Sequence, residues 1–506
     1  MRKAAGIGAI VLGLLLMLVM VVPTFVDLGR FKRTYLPLVE DTLHRRVDVD
    51  EVRLSLLPTP SIKLSKLRVS DSPAFPDHNF FAAQQVQLRL KLWPLLRGRF
   101  EITEFVLEKP VLNLLKQSDG TFNYSDIAAK KIPTGERRDA KKRAAAPKTP
   151  DSTALPLLVP ARMRINDGQL NIITAGRKPV RIDGIALSMQ DFSSDRAFPY
   201  SASFDYPGLK TISLAGQLDY QEEQGTLKLK SNRLKIQDLT LPLEGSVSNL
   251  SSAPRVNLSL ADDNTDAKAV FQILSVFGLA PQDIDISGPM ALRIGVTGLS
   301  SSLESRVQGQ FKDVKVHGKR ALKGNLTGGV SLRLPLAGGS EVTRRLKGEG
   351  KLVATDGELT NVDLIKKIQR ITGMIGFSQD ERRQATTFKT LEAEFTVANG
   401  LADFQRIHLV NPQLDVSGNG TMSLDQPTLN MALEATLSPQ TSARTSRGKT
   451  VVLLKDNRGQ IVVPLKITGR VENPSVSIDG EKMAQRGIAK SVEKSFGSFF
   501  KQLFRR

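Results

Sequence analysis

The sequence predicts a mainly β protein with a few helices, an N-terminal transmembrane helix and a C-terminal amphipathic helix. Three observations lead to this prediction. The chain opens with a long uncharged apolar run, its body alternates apolar and polar residues, and its last residues are basic and rich in phenylalanine. Alternation at period two indicates strands with one buried face. The chain has 506 residues, more than one ordinary core requires, so two or more domains or one elongated domain are expected.

Residues 1–26 are predicted to form a cytoplasmic stub and a transmembrane helix. The uncharged run 4–26 would reach about 34 Å as a helix, which spans a bilayer core of about 30 Å with some tilt. A cleaved signal peptide is the alternative, but its apolar region would be shorter and a small-x-small cleavage site does not follow the run. Arg2 and Lys3 favour a cytoplasmic N-terminus, although basic residues also follow the run. The anchor residues are Leu12, Leu14, Leu15, Leu16, Leu18, Val19, Val21 and Val22.

Residues 27–129 are predicted to form an N-terminal β region with a partly helical entry segment. From Val47 the apolar period changes from helical to two. The apolar positions change parity near Lys66, which indicates a β-bulge. Further strands are predicted near 100–108 and 111–116. The clearest strand alternates with polar residues and presents Val86, Leu88, Leu90 and Leu92 on one face.

The segment 130–156 interrupts this pattern. It contains eight Lys and Arg residues and several prolines, and it has no apolar period. Such a composition cannot bury enough apolar surface to offset the entropy of ordering, so a disordered basic linker or loop is predicted.

Short alternating strands return over residues 157–480, separated by Gly, Asn-Pro and Asp-Gly signals. Two helices are predicted within this region, near 265–277 and 362–375. A short, imperfect repeat, which we call the proline echo, places a proline before an alternating strand at Pro110, Pro412 and Pro474. Proline is tolerated at the first residue of a strand because that residue needs no N–H donor for the ladder.

Residues 481–506 are predicted to form a basic amphipathic helix. A basic helix with a Phe-rich face can lie on an anionic membrane. The alternative is a terminal helix docked on the core of the protein itself. The candidate membrane-surface residues are Lys490, Lys494, Phe496, Phe499, Phe500 and Phe504.

Composition excludes several classes of site. The chain has no cysteine, so disulfides, thiolate metal sites and cysteine nucleophiles are excluded. The formal net charge of +20 favours polyanionic partners such as anionic lipid or nucleic acid. An exported chain rarely meets DNA, so no nucleic-acid partner is expected. Aromatic residues are sparse, with Trp93 the single tryptophan, which disfavours a base-stacking platform.

The sequence contains no set of residues with the pattern of a known catalytic motif. The four histidines lack metal-ligand spacing, and Gly448-Lys449-Thr450 lacks the earlier glycine of a phosphate-binding loop. Asp262, Asp263 and Asp266 lack the ligand pattern of a calcium loop and precede a predicted helix, whose N-terminus favours acids. We therefore expect no enzyme, no metal and no cofactor.

Two sets of short motifs are present in the sequence. The N-terminal set is Val52-Arg53-Leu54-Ser55-Leu56-Leu57-Pro58, Val69-Ser70-Asp71-Ser72-Pro73-Ala74-Phe75, Leu92-Trp93-Pro94-Leu95-Leu96-Arg97-Gly98, Lys109-Pro110 and Gly120-Thr121-Phe122-Asn123-Tyr124-Ser125-Asp126-Ile127. The C-terminal set is Leu346-Lys347-Gly348-Glu349-Gly350, Asp356-Gly357-Glu358-Leu359-Thr360-Asn361-Val362-Asp363-Leu364, Val416-Ser417-Gly418-Asn419-Gly420, Val463-Pro464-Leu465-Lys466-Ile467-Thr468-Gly469 and Asn473-Pro474. With these motifs and its N-terminal anchor, the sequence resembles the AsmA family of Gram-negative envelope proteins. The resemblance extends over most of the chain, and over 157–260 it is limited to the general strand pattern.

The resemblance implies an inner-membrane anchor, a periplasmic body and a role in outer-membrane biogenesis. It also implies an elongated, curled antiparallel-type sheet that forms a hydrophobic groove, and this groove carries phospholipid. The strand pattern alone allows either stacked sheets or such a trough. In the trough, Val86, Leu88, Leu90 and Leu92 would contact lipid; otherwise they are ordinary core. A periplasmic scaffold or regulator that carries no lipid, with an outer-membrane or periplasmic protein partner, is the alternative function.

Overall fold

The computed structural model describes most of the β-rich body of the chain. The described ranges are 37, 40, 45–55, 59–71, 75, 79–97, 101–116, 121–124, 160–176, 178–250, 253–276, 280, 284–318, 322–336, 342–360, 363–372, 385–444 and 454–485. The predicted anchor, the basic segment 130–156 and the candidate membrane-surface residues of the tail lie outside them. No helix in the described ranges is long and apolar enough to cross a membrane.

Strands dominate the described residues, so the mainly β fold class is confirmed. The chain divides into two compact units, 1–223 with 227–237 and 224–226 with 238–506. The first unit contains β1 (Val47–Asp48), β2 (Glu51–Ser55), β3 (Ser61–Ser70), β4 (Asn79–Leu90), α1 (Leu92–Leu96), β5 (Ile102–Lys116), β6 (Arg162–Thr174), β7 (Val180–Met189), β8 (Phe198–Asp205), β9 (Thr211–Gln221) and, from residue 227, most of β10 (Thr226–Ile236).

The first unit is built from neighbouring strand pairs. β1 and β2 both pair antiparallel with β3, and antiparallel pairing continues through β4 and β5. β5 and β6 then pair in parallel, and β6 to β9 pair antiparallel. A parallel pair needs a long crossover, because the chain must return to the starting end of its partner. Residues 117–161 make this connection, so the basic segment 130–156 belongs to a crossover between two paired strands.

A line of irregular residues runs across this unit, with one residue in each of β3, β5, β6 and β7. Lys66, Lys109, Asp167 and Gly184 all have positive φ, between 47° and 61°. Lys66 of β3 lies between the pairs Ser65–Gln85 and Leu67–Ala83, which keep the same register, so the predicted β-bulge is absent at Lys66 and the register shift of this strand pair lies between Val69 and Ser70. On crossing this line, the apolar residues of these strands change parity. Residues on both sides of the line still share one hydrophobic cluster, including Leu64, Leu67, Phe81 and Val86.

Two predicted strands prove to be one. The segments 100–108 and 111–116 were expected as separate strands, but β5 runs through both. Lys109 takes the left-handed conformation, and the ladder is interrupted between the pairs Gln85–Glu108 and Ala83–Pro110, so proline is tolerated beside the interruption. The proline echo therefore marks a strand entry only at Pro412 and Pro474, which precede strands that begin at Leu414 and Ser475.

The second unit is antiparallel throughout its described pairs. Its strands pair in chain order, except that β13 and β14 lie end to end along the same partner, β15. Its elements are β11 (Leu239–Ser248), β12 (Arg255–Asp266), α2 (Ala267–Val276), β13 (Ile284–Ser287), β14 (Pro289–Leu299), β15 (Ser302–Gly318), β16 (Leu322–Pro335), α3 (Val342–Arg345), β17 (Lys347–Leu359), α4 (Leu364–Thr372), β18 (Thr386–Ala398), β19 (Leu401–Val410), β20 (Leu414–Ser423), β21 (Thr428–Leu437), α5 (Pro439–Arg444), β22 (Val462–Arg470), β23 (Ser475–Ile478) and α6 (Gly480–Gln485).

Both helices predicted inside the second unit are present. α2 packs Ala267 and Ala269 on a buried cluster that includes Val314 and Ile286. α4 begins at Leu364 and buries Ile368 completely against the largest core of the unit. Each helix therefore covers part of the apolar side of the sheet.

Candidate functional site

One side of the first unit carries an apolar surface that runs across eight strands. Residues directly opposite each other in paired strands lie on the same side of a sheet. One such row runs from β2 to β9 through Val52, Leu64, Val86, Leu107, Ile165, Leu187, Ala202 and Leu214. The adjacent row contains Leu54, Ile62, Leu88, Phe105, Met163, Met189, Tyr200 and Gly216. We call these two rows the apolar surface.

The opposite side of the same strands is polar. Between the two apolar rows runs a third, which includes Lys63, Gln87, Arg164, Ser188 and Ser201. Val106 and Ala215 are the apolar members of this row. The difference between the two sides follows directly from period-two alternation in each strand.

Burial of the apolar surface falls from β3 towards β9. Val86 and Leu107 are buried, whereas Ile165, Leu187 and Leu214 are only half-buried. Among the described residues, no buried hydrophobic cluster extends over β7, β8 and β9. Half-exposed aliphatic side chains in a continuous row form a surface on which an apolar ligand can bury area.

The four strand residues singled out from sequence have different positions. Val86 and Leu90 are 3% and 5% exposed, and Leu88 is half-buried. Leu92 does not continue the strand, because β4 ends at Leu90 and Leu92 begins α1, where it is 46% exposed. Pro94 fits the first turn of that helix, where its missing N–H costs nothing. Whether Val86, Leu88, Leu90 or Leu92 contact lipid remains a prediction.

The half-buried residues of β6 to β9 were not singled out from sequence. Ile165, Leu187 and Leu214 lie in the middle region, where the alternation is interrupted. The positive φ angles of Asp167 and Gly184 shift the parity within β6 and β7. In β6 and β7 the sequence therefore contains two short alternating runs, and the apolar positions of the second run have the opposite parity to those of the first.

Aromatic and polar groups lie at the far end of the apolar surface. Phe192 contacts Phe198 and Tyr220, with ring centroids 5.1 and 6.1 Å apart. Burial raises the pKa of the Tyr200 phenol. The buried Asn232 packs against Gly216, where any larger residue would meet the Asn232 backbone. This end of the surface can therefore offer polar atoms beside apolar ones.

Glycines make room for large apolar residues in the second unit. Gly350 lies opposite Phe395, and Gly357 lies opposite Phe388. A methyl group on either glycine would meet the facing phenylalanine ring. Phe395 also packs against Phe404 at 5.4 Å between ring centroids. Phe388 belongs to the buried core that also contains Leu364 and Ile368 of α4, so the strands pack closely there.

A buried carboxylate joins three strands on the polar side of the first unit. Glu104 of β5 is 1% exposed and accepts a 2.7 Å hydrogen bond from Arg89 of β4. It also accepts one of 2.7 Å from Nε of Arg164 in β6. The two guanidinium groups remain partly exposed, so the cluster keeps a net positive charge at the polar surface. At the other end of the strands, a hydrogen bond with Asp48 and the charge of Asp50 raise the pKa of Arg68.

Residues of two N-terminal motifs meet in a buried polar network. The Asn123 side chain donates hydrogen bonds to Asp71 Oδ2 at 2.6 Å and to the Asn113 carbonyl at 2.9 Å. The main-chain carbonyl of Asn123 accepts a hydrogen bond of 2.8 Å from the Arg45 side chain. Arg45, Asp71 and Asn123 are all buried. This network fixes the chain entering β1 to the ends of β3 and β5, so these motif residues are structural.

The acids considered for calcium have separate partners. Asp262 accepts a hydrogen bond from Thr265, Asp263 pairs with Arg293, and Asp266 accepts one from the Lys268 amide at the start of α2. Asp266 thus caps the helix, as its position in the sequence indicates. Within the described ranges, no group of three or more metal-ligating side chains lies together.

Comparison with known proteins identifies one family. The AsmA family model matches residues 1–195, so the resemblance is confirmed over this part of the chain. The motifs noted between 346 and 474 lie beyond that match and stay a prediction. Neither the curated proteins nor the solved structures provide a match.

Proposed function

Because residues 1–195 match the AsmA family, we propose that this protein is an envelope protein that supports outer-membrane biogenesis by binding or transporting phospholipid. In this proposal the N-terminal segment anchors the chain in the inner membrane and the β-rich body lies in the periplasm. The ligand is held on the apolar side of the strands without chemical turnover. The protein acts as no enzyme, needs no cofactor and binds no nucleic acid.

The apolar surface is the observation that carries this proposal. It is continuous from β2 to β9, and its side chains are half-buried where no described cluster covers them. Each buried CH₂ group contributes about 0.8 kcal/mol on transfer from water, so an acyl chain gains considerably by lying across several strands. The polar row behind it keeps the other side of the strands in water. A binding surface of this kind selects for apolar length and tolerates different headgroups.

Site-specific crosslinking in cells tests the proposal. A photoreactive benzoylphenylalanine replaces Leu187 on the apolar surface or its neighbour Ser188 on the polar side of β7. The full-length chain is irradiated in a Gram-negative host, purified and extracted for mass spectrometry. We expect phospholipid adducts at position 187 and few at position 188, because adjacent strand residues face opposite sides.

The matched pair also separates the alternatives. Equal adduct yields at both positions would indicate nonspecific contact with detergent or bilayer lipid. No adduct at position 187, with protein adducts in its place, would contradict lipid binding and favour the scaffold that carries no lipid. A Leu187→Lys variant supplies a second measurement: it should lose copurifying phospholipid while its far-ultraviolet circular dichroism stays unchanged.

A further inference from the structure

The only tryptophan of the chain is prominently exposed. Trp93 lies in α1, with 72% of its surface accessible, and the adjacent Leu92 is 46% exposed. Large aromatic side chains are usually well buried, because their burial contributes strongly to stability. An exposed apolar pair of this size offers a surface on which a partner can bury area.

Backbone hydrogen bonds hold the segment that carries Leu92 and Trp93. The Leu90 amide donates to the Pro60 carbonyl at 2.8 Å, and the Lys91 amide donates to the Glu101 carbonyl at 3.0 Å. The Arg97 amide closes the turn on the Pro94 carbonyl at 2.9 Å. The backbone around Trp93 is therefore held by the ends of the neighbouring strands, so little further ordering is needed when the turn docks.

Two cations flank the exposed pair. Residues 91–97 contain Lys91 and Arg97 and no acid, whereas Arg89 is paired with Glu104. Lys91 and Arg97 are both exposed, and the acid paired with Lys91 is Glu101, at 2.9 Å. An apolar tip between cations matches a surface with phosphate groups above hydrocarbon, where tryptophan prefers to sit at the boundary.

We propose that the turn 91–97 docks on the surface of an anionic bilayer. Trp93 and Leu92 enter the boundary between headgroups and acyl chains, while Lys91 and Arg97 face the phosphates. The contact is additional to the predicted N-terminal anchor and does not depend on lipid being carried by the apolar surface. It would fix the first unit against the membrane at a second point.

Tryptophan fluorescence reads this contact directly, because the chain has a single tryptophan. The full-length protein is reconstituted in vesicles of phosphatidylethanolamine and phosphatidylglycerol, with or without brominated acyl chains. We expect brominated lipid to quench Trp93 and the emission to shift to shorter wavelength. Emission typical of a water-exposed indole, with no quenching, would overturn the proposal.

Three controls keep the result specific. In a Trp93→Phe, Leu401→Trp variant the reporter moves to another exposed apolar site, in the second unit, and quenching should fall. Charge reversal with Lys91→Glu and Arg97→Glu should also reduce quenching, as should replacing phosphatidylglycerol by phosphatidylcholine. Quenching that ignores both changes would overturn the anionic contact. Quenching that persists after transfer to detergent free of brominated lipid would place the lipid on the protein and contradict bilayer docking.

Discussion

The carboxylate of Glu104 and the guanidinium of Arg164 join β5 and β6 at the parallel pair of the first unit, with 2.7 Å between Oε1 and Nε. Further along the same pair, Asn166 donates to Glu108 and Asn171 donates to Asn113, each at 2.8 Å. Side-chain bonds thus repeat along the two strands that the crossover 117–161 brings together. Parallel ladders are slightly less stable per residue than antiparallel ones. These side-chain hydrogen bonds therefore add stability at the one parallel pair described in this unit.

Replacing Glu104 by Gln should loosen this strand pair. The amide keeps the shape but removes the negative charge, and its NH₂ group cannot accept a hydrogen bond, so one of the two arginines loses its acceptor. We expect a loss of about 1–3 kcal/mol, below that of a fully buried pair, because both arginines reach water. Hydrogen exchange of the β5 and β6 amides measures the change in local opening free energy.

The matched control for this substitution is Glu101→Gln. Glu101 also pairs with a cation at 2.9 Å, Lys91, but both side chains are exposed. Exposed pairs contribute about 0–1 kcal/mol, so exchange of β5 should hardly change. Equal effects of the two substitutions would show that burial of Glu104 does not matter.

Replacing Gly357 by Ala should destabilise the second unit. The new methyl group would meet the backbone carbonyl of Lys323 and the ring of Phe388, so the strands must shift. Overpacking of this kind costs about 1–3 kcal/mol. Urea unfolding of the full-length chain, followed by circular dichroism, measures the loss.

Gly295→Ala provides the comparison within the same unit. A methyl group there meets no atom within 4 Å, and the residue does not need positive φ. Removing a glycine from such a site stabilises by about 0.4–1 kcal/mol, since the unfolded chain loses conformational freedom. If Gly295→Ala destabilises the protein as much as Gly357→Ala does, contact with the ring of Phe388 is not the cause of the loss.

Alkaline pH should act on the apolar surface through Tyr200. Its pKa is raised by burial, so the folded state favours the neutral phenol. The resulting stability is complete below the unfolded pKa of about 10 and is lost as pH rises through the folded pKa. A Tyr200→Phe protein should therefore lose less stability than the native chain above this pH.

Ultraviolet titration of the five tyrosines measures this effect. Tyr200→Phe should remove a late ionising phase, whereas substitution of the exposed Tyr124 by Phe should leave that phase in place. Bound phospholipid would exclude more water from Tyr200 and delay the phase further. If the late phase survives in Tyr200→Phe, burial of this phenol does not cause it.

Local patterns in the sequence predict much of the strand structure. Alternation at period two places Val86, Leu88 and Leu90 on one side of β4, and the parity change near Lys66 coincides with the positive φ of that residue, without the extra residue of a β-bulge. The helices near 267 and 364 are predicted because apolar spacing changes and because Asp266 supplies a cap. These features depend on neighbours along the chain, which the sequence contains in full.

Pairing between distant segments was decided only by the tertiary structure. That β5 and β6 lie in parallel, so that Glu104 meets Arg164 across 60 positions, cannot be inferred from either strand alone. The same holds for Asn123 with Asp71, and for the alignment of Lys66, Lys109 and Asp167 along one line of residues with positive φ. The sequence by itself determined which side of each strand is apolar; the order and register of the strands joined those sides into one surface, because period two fixes the faces of a strand but not its neighbours.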